Sequence, residues 1–99
     1  MIKGVKINSI ESHKDKRGFF REIWRFSEQN EFNPETAQIS HSLVKEGVIK
    51  GWHGHVNQGQ LNYVASGSIR VALYDNRNNS STYKSLMQFY VKADKPKVY

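Results

Sequence analysis

Gly47 to Gly67 reads GVIKGWHGHVNQGQLNYVASG and carries the clearest chemical signal in the chain. His53 and His55 lie two residues apart at the end of a short apolar run. In an extended strand such residues point to the same face, so both imidazoles look into one space. Gly51, Gly54 and Gly59 bracket the pair, and Gly67 ends the strand that follows. The stretch predicts a chemical site mounted on a β-scaffold.

Outward from this stretch the hydrophobic period stays near two. Ile2 to Ile10 alternates loosely. Phe20, Glu22, Trp24 and Phe26 fall on one face of a second strand, with Phe19, Arg21, Ile23 and Arg25 on the other. The polar run Ser27 to Pro34 suits one short helical turn or a loop. Ala37 to Val44 reads as a strand with Gln38, Ser40 and Ser42 on one side and Ile39, His41 and Leu43 opposite. Val48 to His55, Leu61 to Ala65 and Ile69 to Asp75 follow as short strands, and Ser66-Gly67 signals a tight hairpin between the last two. Asn76 to Ser81 is turn-rich, and Tyr83 to Val91 is one more strand. Pro96 to Tyr99 looks like the start of another, which either pairs with a neighbour or continues in a longer protein. Many short strands at near-regular spacing predict an all-β sandwich or barrel. There is no internal repeat and no low-complexity segment.

Ninety-nine residues make one domain or part of one. A chain this short buries a limited core, so a dimer partner would help it. It has no cysteine, which excludes disulfides and thiolate metal sites. The formal net charge of +6 favours anionic partners. The lysines and arginines are scattered rather than blocked, the pattern of a solvated surface rather than a nucleic-acid module. A nucleotide diphosphate would need only two or three of them. No apolar run is long enough to span a membrane, and Met1 leads into an alternating strand rather than a signal peptide. The expected location is cytoplasmic, with neither nucleic acid nor membrane as partner.

One reading of His53 and His55 is metal binding, since neutral imidazoles are common ligands. The spacing is similar to the first motif of cupins, with Gly47, His53, His55 and Gly67 in register. The acidic ligand position, however, holds Gln60, a weak neutral ligand. The second cupin motif has no counterpart before Tyr99. Metal held by His53 and His55 therefore stays as the alternative.

The other reading is a histidine base without metal. Asp15-Lys16-Arg17-Gly18-Phe19-Phe20-Arg21-Glu22 matches the DxRGxFxE motif of the dTDP-4-dehydrorhamnose 3,5-epimerase family, a cupin-fold group of nucleotide-sugar enzymes. Gln38-Ile39-Ser40-His41-Ser42 is similar to that family's Gln-Asp-Asn-His-Ser. Gly47-Val48-Ile49-Lys50-Gly51-Trp52-His53 resembles its Gly-Val-Leu-Arg-Gly-Leu-His. Gln58-Gly59, Gly67, Asp75, Arg77 and Ser80 to Tyr83 keep step with it, so the resemblance runs from Asp15 to about Leu86.

The resemblance implies a cupin-like jelly-roll β-barrel over residues 1–99, shortened at its C-terminal end, and a dimer that exchanges N-terminal strands. It implies epimerisation of a nucleotide-linked 4-keto-6-deoxy sugar in polysaccharide biosynthesis. No cofactor is needed, because the keto group itself acidifies the neighbouring C–H. His53 matches the catalytic base. Arg17, Phe20 and Glu22 match nucleotide-holding residues that reach across from the partner subunit. Gln38, Ser40 and Lys50 match sugar- and phosphate-contacting positions. Phe20 and Glu22 share a face on the strand pattern independently of the family.

The chemistry asks for a base near neutrality, a cation or donors beside the developing enolate, and an acid on the opposite face of the ring. Only the first is plain here. The family's enolate-stabilising lysine falls at Gln60. Its arginine before Gly-x-His is Lys50, which keeps the charge but loses the bidentate fork. Ser40 replaces an asparagine, and Gly54 replaces an aromatic residue. The family's tyrosine acid lies beyond Tyr99. A catalytically silent cupin that binds a sugar nucleotide or another small ligand is therefore the competing expectation. Elsewhere the plain readings are structural. Trp24, Phe26, Tyr63, Tyr74 and Phe89 suit core or interface, and His41 suits a buried hydrogen-bonded place. Asp75 and Arg77 suit a local pair, Ser80-Ser81-Thr82 a turn, and His13 the solvated surface.

Overall fold

The computed structural model describes residues 1–27 and 32–99. The chain divides into two units, Met1–Trp24 with Leu61–Tyr99, and Arg25–Gln60. Every regular element is a β-strand, and no helix occurs among the described residues. The all-β expectation therefore holds.

The first unit is organised by a long antiparallel hairpin. β4 (Ser68–Tyr74) and β5 (Leu86–Lys92) pair from Ser68↔Lys92 to Tyr74↔Leu86. Alternation sorts their side chains. Ile69, Val71 and Leu73 face inward opposite Val91, Phe89 and Met87. Arg70, Ala72 and Tyr74 lie exposed opposite Tyr90, Gln88 and Leu86. Arg70 Nε donates to Gln88 Oε1 across this outer face at 2.9 Å. The buried apolar core is Ile2, Val71, Val91 and Val98, with Val91 the most enclosed at 1% exposure.

Two smaller ladders complete the unit. β1 (Asn8–Ser9) pairs antiparallel with β6 (Lys97–Val98), joining the two ends of the chain. Residues 62–63 lie along the other side of β6, through a Tyr63↔Val98 bridge and reciprocal Asn62–Tyr99 backbone bonds of 2.8 and 3.2 Å. β2 (His13–Asp15) and β3 (Gly18–Phe20) form a hairpin with Lys16-Arg17 at its tip and Gly18 at φ +134°.

Several expected strands differ from the observed ones. Leu61–Ala65 supplies one bridge rather than a strand, and the Ser66-Gly67 turn does not close a hairpin onto β4. β4 takes β5 as its partner, and Gly67, at φ +78°, instead accepts a backbone bond from Ala93 at 2.9 Å. The alternation in Ile2–Ile10 yields only β1, while Gly4 turns the chain at φ +89°. The strand expected from Phe20 to Phe26 pairs only as far as Phe20.

In the second unit no strand forms among the described residues, although 37–44 and 48–55 alternate. A strand needs a neighbour to satisfy its backbone N–H and C=O groups, and the pattern alone does not provide one. The unit's local order is two turns. Asn33 receives amides from Thr36 and Ala37 through its carbonyl and from Glu35 through its side chain, a single helical turn at the end of the predicted loop. The rest of the Ser27–Pro34 expectation falls partly on residues 28–31, outside the described ones. Val48 closes a second turn onto Lys45 with Gly47 at φ +76°. Ile39, Ile49 and Val56 are each more than 90% exposed.

Candidate functional site

The residues singled out by motif fall in both units. Arg17, Phe20 and Glu22 belong to the first, and Gln38, Ser40, Lys50, His53, His55 and Gln60 to the second. Each group has its own geometry.

Arg17 sits at the tip of the β2–β3 hairpin, where Asp15 organises it. One Asp15 oxygen accepts the Arg17 backbone amide at 2.8 Å. The other accepts Nε at 3.2 Å and Nη2 at 2.6 Å. An aspartate that bonds the amide two residues on is the ordinary chemistry of a tight turn. Here the same carboxylate also aims the guanidinium. Arg17 holds the Asp15 carboxyl below its usual range, and Asp15 raises the guanidinium in return. The pair is solvent-exposed, so its effect is to position rather than to stabilise.

Phe20 is opposite His13 in the ladder, with ring centroids 6.3 Å apart, and is two-thirds exposed. An exposed aromatic face can stack a nucleotide base, and an exposed guanidinium can hold a phosphate. Just past β3, Arg21 ties the segment to the rest of the unit. Arg21 lies 3.9 Å over the Phe19 ring and donates to Ser12 Oγ at 2.6 Å and to Tyr63 Oη at 3.1 Å. Phe19 and Arg21 therefore share a side, as the alternation predicts, and Glu22 is exposed beyond them. Sequence reading missed the bracing role of Arg21. Its signal was the same alternation, but Ser12 and Tyr63 are not local to it.

In the second unit Gln38 Nε2 donates to Ser40 Oγ at 3.0 Å, so these two side chains lie on one side. Gln60 Nε2 lies 2.9 Å from His55 Nε2. The contact ties the two side chains to each other. His53 and Lys50 are exposed. Expected sugar-contacting positions Gln38 and Ser40 thus come together, and Gln60 joins the histidine pair through His55 rather than His53. His41 is exposed rather than buried. His13 is exposed as expected.

For the metal alternative the donor set is thin. No group of three or more His, Cys, Asp or Glu residues that could share an ion occurs among the described residues. His55 Nε2 is already in contact with Gln60 Nε2 at 2.9 Å. The pair His53 and His55 would have to complete its coordination with weak neutral ligands.

The most developed polar cluster is structural. Asp75 is buried at 3% exposure. Its Oδ1 accepts Arg77 N and Nε at 3.1 and 2.8 Å. Its Oδ2 accepts Arg77 Nη2 at 2.9 Å, Ser80 Oγ at 2.7 Å and Thr82 Oγ1 at 2.6 Å. The local pair predicted for Asp75 and Arg77 is present, and it extends to the N-terminal segment. Arg77 Nη2 donates to the Lys3 carbonyl at 2.7 Å, and Lys3 N donates to Thr82 Oγ1 at 3.0 Å.

Comparison with known proteins agrees with the motifs. The family model for dTDP-4-dehydrorhamnose 3,5-epimerase matches residues 1–99. The chain is 38% identical over 96 residues to the spore coat polysaccharide biosynthesis protein SpsL of Bacillus subtilis, covering 97% of this chain and 62% of that protein. It is 29% identical over 92 residues to the probable low-salt glycan biosynthesis epimerase Agl13 of Haloferax volcanii, covering 91% and 58%. To a dTDP-4-dehydrorhamnose 3,5-epimerase of Streptomyces griseus it is 27% identical over 90 residues, covering 85% and 45%. The chain thus spans roughly half to three-fifths of the length of these relatives. No solved structure matches it significantly. The match over all 99 residues, on a chain whose Asp15–Glu22 and Gly47–His53 motifs stand in order, places it in the dTDP-4-dehydrorhamnose 3,5-epimerase family.

Proposed function

We propose that this protein acts on a nucleotide-linked 4-keto-6-deoxy sugar in polysaccharide biosynthesis, with His53 as the base that removes the proton beside the keto group. The observation that carries this reading is the family match over residues 1–99, and the likeness of Gly47–His53 to the family's motif supports His53 as the base. An exposed imidazole is free to meet a substrate C–H, and histidine titrates in the range where a base is efficient. Arg17, aimed by Asp15, takes the diphosphate, and the exposed Phe20 ring takes the base, with Glu22 beside them. Gln38 and Ser40 act as one hydrogen-bonding unit toward the sugar. Lys50 supplies positive charge near the enolate, where Gln60 offers only an amide. The working form is a homodimer with a cupin-like barrel. The large exposed apolar side chains of residues 39–56 support assembly, since such surface is ordinarily covered.

A second reading, a silent cupin that binds the sugar nucleotide without turning it over, is favoured by one observation. Gln60 is uncharged and engages His55. Deuterium wash-in separates the two. The protein is incubated in deuterated buffer with a nucleotide-linked 4-keto-6-deoxy sugar, and the sugar protons are followed by NMR. Deuterium at C3 or C5, absent with His53→Ala, is the expected result. Saturable binding without exchange would sink the enzyme reading in favour of the binder.

A further inference from the structure

β4 and β5 make a two-stranded sheet, so β5 has no strand neighbour on its outer side among the described residues. A cleft of about 300 Å³ opens there, lined by Phe89, Tyr90, Lys92, Lys95 and Lys97. No residue of β4 lines it. Its size falls at the lower end of small-molecule sites and exceeds what a lone phosphate would fill.

The three lysines stand on pinned backbone. Lys92 and Lys95 face each other across an antiparallel bridge, and Lys95 N donates to Lys92 O at 3.2 Å. Ala93 N to Gly67 O holds the intervening turn, and Ile10 N to Pro96 O holds the residue after it, each at 2.9 Å. Lys97 is fixed in β6 opposite Ser9. Two like charges directly opposite each other work against a ladder. An anion between them converts that repulsion into attraction. The remaining wall is aromatic. Phe89 is braced edge-on by Tyr99, with centroids 5.1 Å apart at 81°, and Tyr90 is 61% exposed.

Ammonium groups are compact phosphate partners, and an exposed aromatic face stacks a flat base. We infer that this cleft binds a nucleoside diphosphate, its phosphates among Lys92, Lys95 and Lys97 and its base against Tyr90. The site is separate from the motif residues, none of which lines it. It stands whether or not His53 is a base.

The test is an NMR titration of the full 15N-labelled chain at low salt with uridine diphosphate, inorganic pyrophosphate and uridine. Uridine diphosphate produces saturable shifts over Phe89 to Lys97 in addition to any at Arg17–Glu22, with pyrophosphate giving weaker ones there and uridine very little. Lys95→Gln with Lys97→Gln weakens uridine diphosphate at least about tenfold. Tyr90→Ala lowers its affinity at this cleft to that of pyrophosphate. Non-saturating shifts at surface lysines generally would overturn the proposal. So would shifts confined to Arg17–Glu22, equal affinity for pyrophosphate, or wild-type binding by the double variant. A melting experiment gives an independent check. Lys95→Gln alone raises the midpoint of the ligand-free chain by about 2 °C at low salt and removes most of the stabilisation by uridine diphosphate. A lowered midpoint with that stabilisation intact would overturn it as well. Deuterium wash-in reads the sugar carbon, so failure here leaves the His53 result untouched.

Discussion

Asp75 holds Arg77 through both carboxylate oxygens, Nε to Oδ1 at 2.8 Å and Nη2 to Oδ2 at 2.9 Å, and Arg77 passes the contact on to the Lys3 carbonyl at 2.7 Å. A buried carboxylate at the end of β4 therefore fastens the β4–β5 loop to the first residues of the chain. Ser80 and Thr82 complete its shell, so few of its lone pairs are left unbonded.

Asp75→Asn should loosen both the loop and the N-terminal segment. The amide keeps the shape but loses the charge, and one of its two heads becomes a donor facing donors. The expected result is a clear drop in thermal midpoint and faster amide exchange at Lys3 and Thr82. Unchanged exchange at Lys3 would show that Arg77 does not carry the connection.

The same cluster sets a pH dependence. Arg77 first, then Thr82 and Ser80, hold the Asp75 carboxyl far below its ordinary value of 3.8. A carboxyl depressed in the folded state contributes stability that is fully present above the unfolded value. That contribution is lost as pH falls through the folded one. Stability should therefore decline as pH drops below about 4. Asp75→Asn should flatten that decline in urea melts recorded from pH 6 to pH 2.5. A parallel decline in the variant would assign the acid sensitivity elsewhere.

Val91→Ala should cost about 2 kcal/mol, since it removes two methyl groups from the most enclosed position in the core. Tyr90→Ala, one residue away on the exposed face, should cost much less. Urea denaturation of both variants measures the difference. Equal losses would contradict the assignment of inner and outer faces.

At the hairpin tip, Asp15→Asn and Arg17→Gln should leave the melting midpoint within about 2 °C of wild type, because the pair is exposed. Both should weaken nucleotide-sugar binding, Arg17→Gln by tenfold or more through the lost phosphate contact. Asp15→Asn should do so less, by freeing the guanidinium rather than removing it. Calorimetric titration with the sugar nucleotide measures both.

In the proposed mechanism, Gln60→Lys places a cation beside the enolate. It should raise the deuterium wash-in rate by at least about tenfold. It should also release His55 from its 2.9 Å contact, which the ring proton shifts of His55 would report. No gain in rate would mean that position 60 does not face the enolate.

Much of the β4–β5 unit was legible from local pattern. Alternation in Ile69–Asp75 and in Tyr83–Val91 identified the two strands within a few residues, and burial follows the same parity, with Val71 and Val91 inside and Arg70 and Tyr90 outside. Of the candidate site, the strand pattern placed Gln38 and Ser40 on one side, and they are hydrogen-bonded. It could not show that Gln60 would meet His55, because that contact depends on the path of the intervening residues 56–59.

Residue order along this chain was enough to set the β character, the inward and outward faces of its long hairpin, and the motif register that identifies its family. Those depend on side-chain period and spacing, which are local. Pairing is not local. The Ser66-Gly67 turn pointed to Leu61–Ala65 as the neighbour of β4, yet the fold gives β4 to β5 and joins Asn8–Ser9 to Lys97–Val98 from opposite ends of the chain. Residues 37–44 and 48–55 alternate as well as any strand here, but they form no ladder. Alternation states which way side chains face, and only another backbone at hydrogen-bonding distance decides whether a strand exists.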